Sequence, residues 1–281
     1  MKYTNKHSLP DVIFDVVTKK RYDNKGTLSA TTLIQSPKIS LLTKRHWDEL
    51  EQDISDNIWM LFGSAVHNIF EKDVKEGETE KRLYTELKGK KISGMFDLLH
   101  NDILTDYKVP SVWSIIFNNN KWTEQLNIYK YLCEMNGIKV KKMQVIAILR
   151  DWQKSRAEKD ADYPQLPIVV KEIFPYENTE EFVTRLVERY NEADKLADDD
   201  IPVCSEKDRW TTENVYAVYK NKNKTATKLC KTMEEADKFI VNMKKQYKDD
   251  FRIELRKGID KRCEKYCGVN KFCNYYKGLN K

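Results

Sequence analysis

Residues 81–109 constrain the fold more than any other part of the chain. "KRLYTEL", "KKISGMFDLL" and "DILTDYKV" are three successive segments of strand length, joined by short turns, the second of them His100-Asn101-Asp102. Connections this short make hairpins of neighbouring segments. On the N-terminal side, "DNIWMLFGSAVHNIFEKDV" (Asp56 to Val74) predicts a helix with Asp56 as its cap. Ile58, Leu61, Phe62, Ala65, Ile69 and Phe70 fall mostly on one face of it. On the C-terminal side, "KWTEQLNIYKYLCEMNG" predicts a second helix stopped by Asn136-Gly137, and "KKMQVIAILRDW" a fourth strand. Helix, three strands, helix, strand is the order of an α/β fold, a mixed sheet flanked by helices.

Beyond Trp152 the pattern continues with strands at "LPIVVKEIFPY", "NVYAVYK" and "FRIELRK". Helices are expected at "NTEEFVTRLVERYNEADKLADDD" and "TMEEADKFIVNMKKQYKDD". With 9 glycines, 7 prolines and no repeats, no stretch has the composition of a flexible linker. The expectation is one domain over residues 1–281, with a core at about 55–150 and a distinct C-terminal cysteine region at about 200–281.

The predicted hairpin carries charge where burial is expected. Alternation puts Leu104, Asp106 and Lys108 on one face of their strand and Ile103, Thr105 and Tyr107 on the other. Asp97, on the strand before, reaches the same neighbourhood across the turn. Two carboxylates converging from adjacent strands suit a hard divalent cation such as Mg²⁺ or Mn²⁺. A lysine beside them can contact a phosphate oxygen or orient an attacking water, as metal-assisted phosphodiester hydrolysis requires. The opposing reading is a solvent-facing Asp–Lys pair on a half-buried strand.

Composition leaves this open. A formal charge of +6 in 281 residues fits a nucleic-acid partner without demanding one. No apolar run is long enough to span a membrane, and the start lacks the basic-then-apolar design of a secretory signal. A reducing cytoplasm is therefore expected, where cysteines serve metals more often than disulfides. "RCEKYCGVNKFCNYY" places Cys263, Cys267 and Cys273 in a Cys-x3-Cys-x5-Cys pattern. Three thiols in so short a stretch are better explained by a metal or cluster than by apolar packing.

Asp97 followed by Asp106-Tyr107-Lys108 is similar to the signature of the PD-(D/E)xK nuclease superfamily. "GSAVHNIFE" on the preceding helix resembles the Gly-x-x-x-His motif of its RecB-type branch, and Gln125 to Tyr129 its Gln-x-x-x-Tyr motif. The nearest resemblance is to stand-alone RecB-like nucleases of bacteriophages, and more distantly to the AddB nuclease domain and the CRISPR-adaptation nucleases. It implies a restriction-endonuclease-like sheet with Asp97 and Asp106 as metal-holding catalytic residues and Lys108 assisting the water. His67 and the Tyr107 carbonyl would be further metal ligands, with Gln125 and Tyr129 positioning substrate or site. An imidazole ligand favours Mn²⁺ over Mg²⁺. Phe96 stands where the signature's name has proline. The competing role for His67 is a pair with Glu71 one turn on, and Glu86 is either an outer carboxylate or a plain strand residue.

Relatives with such a tail commonly bind a [4Fe–4S] cluster through the trio and one distant cysteine. Here no cysteine precedes the nuclease motifs, which leaves Cys133, Cys204 and Cys230. Cys133 lies beside Leu132 on the second helix and reads as packing. Cys204, in the polar loop "IPVCSEKDRW", suits ligation best. Zn²⁺ is the alternative to the cluster. Either would clasp the tail to the body.

The expected function is a metal-dependent DNase, an exonuclease on DNA ends or single-stranded DNA. It would serve phage recombination, repair or replication beside proteins of those processes, in the host cytoplasm if phage-encoded. Its rivals are a structure-specific or nicking endonuclease on the same core and a non-catalytic, zinc-containing nucleic-acid-binding protein. The basic stretches "KKRYDNK", "KWTEQ" and "YKNKNKTATK" are candidate phosphate contacts, though such runs are more often solvated faces.

Overall fold

A computed structural model describes residues 1–19, 26–117, 121–245 and 249–279. The chain divides into two compact units, Met1–Pro202 and Val203–Lys281. The motif-bearing stretch lies in the first, and the cysteine region begins close to the division. "KKRYDNK" falls outside the described residues except for Lys19.

The elements of the first unit that frame the site are β1 (Leu28–Ser29), α1 (Pro37–Arg45), α2 (Ile58–Asp73), β2 (Glu78–Leu87), β3 (Lys90–His100) and β4 (Ile103–Lys108). They continue with α3 (Trp113–Ile116), α4 (Lys121–Met135), β5 (Lys142–Ile148), β6 (Ile168–Ile173) and α5 (Thr179–Asp194). These strands form one mixed sheet of order β1-β3-β4-β5-β6, with β2 on the other edge of β3, and a separate parallel pair joins Lys2–Thr4 to Glu51–Asp53. β2, β3 and β4 are antiparallel neighbours, as their short turns require. β4 and β5 are parallel and need the α4 crossover between them.

The core explains the order. α4 buries Leu126, Ile128, Tyr129, Leu132 and Cys133 against Leu104, Val145 and Phe96 of the sheet, and α5 adds Val183, Val187 and Tyr190. Met135 closes α4. Gly137, at φ +71, lets Ile138 N–H reach the Cys133 carbonyl (2.8 Å) and Gly137 N–H the Glu134 carbonyl (3.1 Å), so the expected stop is found. α1 buries Lys38, whose Nζ donates to the carbonyls of Asp198 (3.0 Å) and Ile201 (2.9 Å). That ties the last residues of the unit to it.

One expectation for α2 needs correction. Asp56 does not cap it: a 3-10 turn at Ile54–Asn57 comes first, capped by the Asp53 carboxylate, which accepts from Ser55 N–H (3.1 Å). No residue of α2 is buried, and Phe62, Ala65 and Ile69 of its apolar set are exposed.

In the second unit, β7 (Val215–Lys220), β8 (Lys228–Cys230) and β9 (Phe251–Arg256) form an antiparallel sheet of order β8-β7-β9. α6 (Met233–Lys244) packs on it over a small core of Val218, Cys230 and Ala236. A short helix, α7 (Lys261–Lys265), follows. No helix among the described residues is long and apolar enough to cross a membrane.

Candidate active site and cysteine centre

The ladder between β3 and β4 covers only Leu98–Thr105 to His100–Ile103. Beyond it the strands part, and Asp97 Oδ2 bridges the gap by accepting from Tyr107 N–H (2.6 Å). Asp106 follows Thr105 on β4 and is 2% exposed; Asp97 is 8% exposed. Burial pushes the Asp106 carboxyl up to about 6, with Lys108 pulling down and Asp97 pushing up. Lys108 Nζ stands 2.7 Å from Asp106 Oδ2, an ion pair, yet that oxygen has no hydrogen-bond donor aligned on it.

α2 crosses this opening. The Phe70 ring stacks on Tyr107 with centroids 4.2 Å apart, and His67 Nε2 donates to the Tyr107 carbonyl (3.0 Å). His67 Nδ1 lies 3.4 Å from Asp97 Oδ1 and 3.7 Å from Glu80 Oε1, so its acidic partners are these and not Glu71. Asp97 first, then Glu80, raise the imidazole to about 10 against the effect of burial. The ligand atoms of His67, Glu80 and Asp97 all lie within 4.8 Å of one another. Such a set demands positive charge, and a divalent cation would supply it with the imidazole neutral and its nitrogen lone pair available. Together with the unaligned Asp106 oxygen, these donors fit a metal ion.

Glu80 was missed in the sequence, where Glu86 was the candidate from the same strand. Glu86 is exposed. Hairpin arithmetic would have found the right residue. Leu87 pairs with Lys90, and the register carried back puts Glu80 opposite Asp97. There the ladder skips from Thr79–Leu98 to Lys81–Phe96, and Glu80 adopts φ +48, uncommon for a residue with a side chain.

α4 supplies the opposite wall. Gln125 Nε2 donates to Tyr129 Oη (2.7 Å), as residues one turn apart can. Burial, then the Asp106 charge, hold the Tyr129 phenol well above its ordinary range. The Tyr129 ring comes so close to β3 that Gly94 has no room for a side chain: a Cβ there would be 2.8 Å from the ring and 2.6 Å from Leu132 Cδ1. His67, Asp97, Asp106, Lys108, Gln125 and Tyr129 thus border one cavity of about 400 Å³, with Glu80 and Arg82 of β2 on its rim.

The cysteines separate by environment. Cys133 is fully buried in the core and its thiol is pushed up to about 12 by burial. Cys230 lies in the small core of the second unit. Cys204, Cys263, Cys267 and Cys273 all lie in the second unit, near enough for their charges to interact. Burial raises the Cys263 thiol to about 11, with Asp260 and then the other three thiols adding to the rise. Cys267 is raised by burial and by Cys204 and Cys273. Thiols that oppose one another's ionisation fit a bound cation, which lets them ionise together. Their scaffold is Asp260, which accepts from Tyr275 Oη (2.7 Å), Arg209 Nε (3.1 Å) and Thr211 Oγ1. All four lie within residues 203–281, so a group bound by them would link the tail to Cys204 of its own unit and not to the first unit.

No family model matches the chain, and no curated protein does. Among solved structures it is similar to SSO0001, at 16% identity over 65% of this chain and 84% of that one, with a TM-score of 0.47. It is also similar to a phage-related exonuclease from Haemophilus somnus 129PT, at 13% identity over 62% and 73% of the two chains, with a TM-score of 0.28. The chemistry open to the site is therefore read from its own residues.

Proposed function

We propose that the first unit is a metal-dependent nuclease of the PD-(D/E)xK type, acting as an exonuclease on DNA ends or single strands. The observation that carries this is the convergence of His67, Glu80, Asp97, Asp106 and Lys108 on one cavity beside Gln125 and Tyr129. Asp97, Asp106, His67 and the Tyr107 carbonyl would hold Mg²⁺ or Mn²⁺, with Glu80 as a further carboxylate. The ion, when bound, polarises the phosphodiester and lowers the pKa of water. Lys108, held by Asp106, orients the attacking water and balances charge gathering on the phosphate oxygens. The Gln125–Tyr129 pair fixes the wall against which the strand lies. Burial disfavours the Asp106 anion, and Lys108 and a bound cation would both favour it.

In the second unit, Cys204, Cys263, Cys267 and Cys273 would hold a [4Fe–4S] cluster or Zn²⁺ in a structural role. Iron, sulfide and zinc content of protein purified without oxygen separates the two. The setting is a reducing cytoplasm, that of the host if the protein is phage-encoded, alongside recombination or replication proteins.

Cleavage of end-labelled linear and closed-circular single-stranded DNA in Mn²⁺ or Mg²⁺ tests the activity. Loss of the linear substrate alone, abolished in Lys108→Ala, is the expected result. Cutting of the circle makes the protein an endonuclease, and no cleavage of either sinks the reading.

A further inference from the structure

A strip of exposed aromatic rings and arginines adjoins the cavity. On α2, Met60, Gly63, Ser64 and His67 border the cavity, while Trp59 (56% exposed) and Phe62 lie beside them with ring centroids 6.5 Å apart. The Arg150 guanidinium lies over the Trp59 ring at 4.4 Å. Arg150 N–H donates to the Pro110 carbonyl (3.1 Å), and its neighbour Asp151 accepts from Ser111 Oγ (2.5 Å) and Val112 N–H (2.7 Å). These bonds fix the turn that leads from Lys108 into α3. There Trp113 (42% exposed) stacks on Phe117 (76% exposed), with centroids 5.7 Å apart and planes at 19°. Arg156 covers the Trp113 ring at 4.9 Å. The surface thus has two clusters, Trp59 with Phe62 and Arg150, and Trp113 with Phe117 and Arg156, joined through the Arg150–Pro110 and Asp151 bonds. The first stands on a helix that borders the cavity, and the second follows the strand of Lys108.

We infer that this strip is a stacking surface for the unpaired bases of a single nucleic-acid strand whose scissile phosphate enters the cavity. Partly exposed aromatic rings, Phe117 most of all, suit bases of any sequence, and the guanidiniums beside them suit the phosphates between those bases. A duplex hides its base faces and gains little from exposed rings. The inference rests on the nuclease reading for where the strand leads, but binding to the strip does not depend on cleavage.

The test is fluorescence anisotropy in EDTA with a labelled oligothymidylate and a duplex of the same length. Preference for the single strand is expected. Trp59→Ala and Trp113→Ala each weaken it on the order of tenfold, while Trp59→Phe and Trp113→Phe keep it. Arg150→Ala and Arg156→Ala each reduce the salt slope by about one. Duplex bound as tightly as single strand, or alanine variants that bind as wild type, would overturn the inference. So would self-association in sedimentation that is lost in Trp59→Ala without any oligonucleotide binding, which would assign the strip to a second copy of the chain. Lys108→Ala separates the two readings. It keeps oligonucleotide binding while losing cleavage in Mn²⁺. A wild type that binds but never cleaves removes the nuclease and leaves the surface.

Discussion

Two helices supply the cavity with side chains from opposite sides, and their environments could hardly differ more. α4 buries nine of its residues, from Trp122 to Cys133, in the core of the first unit. α2 buries none, although it is rich in apolar residues. Gln125 and Tyr129 therefore stand on an element fixed by packing against the sheet. His67 stands on one held at the site by the Phe70–Tyr107 stack and its own bonds. A helix whose apolar side faces outward is suited to meet something else. On the proposed reading, the packed helix fixes one wall of the cavity, while the open helix brings His67 to the metal and meets substrate.

The comparison breaks most easily through stability. Leu132→Ala in α4 should cost about 2–5 kcal/mol in chemical denaturation, because a fully buried side chain leaves a cavity behind. Phe62→Ala in α2 should change stability by no more than about 0.5 kcal/mol. Equal losses would show that α2 is packed after all. Next in size, Gly94→Ala forces the Tyr129 ring away from β3 and should cost about 1–3 kcal/mol, with activity falling as well. Tyr129→Phe removes the acceptor of the Gln125 amide, and about 1 kcal/mol is expected from the donor left unsatisfied. His67→Ala should also change stability little, within about 1 kcal/mol on the same denaturation curve. Its effect on Mn²⁺ affinity should be large.

Sequence patterns reach one wall of the site further than the other. Asp106 and Lys108 were legible because strand alternation puts them on one face, and Gln125 and Tyr129 because a helix brings i and i+4 together. Glu80 escaped because its role depends on hairpin register and on a left-handed residue that interrupts the ladder, neither of which periodicity reveals. The openness of α2 escaped for a related reason. Apolar spacing says that a helix has an apolar face, not what covers it. Among the cysteines, Cys133 and Cys204 could be told apart by their apolar and polar neighbours. The division after Pro202 left no trace because no glycine- or proline-rich linker marks it.

On the proposed reading, carboxylates from adjacent strands and an imidazole from α2 make one divalent-metal site. Calorimetric titration of the chelator-stripped protein with Mn²⁺ tests it most directly, under conditions that leave the cysteine centre intact. The expected result is one site in the wild type, no measurable binding there in Asp97→Asn, affinity lowered about 10–100-fold in Glu80→Gln, and no change in Glu86→Gln. Wild-type affinity in Asp97→Asn would contradict the account.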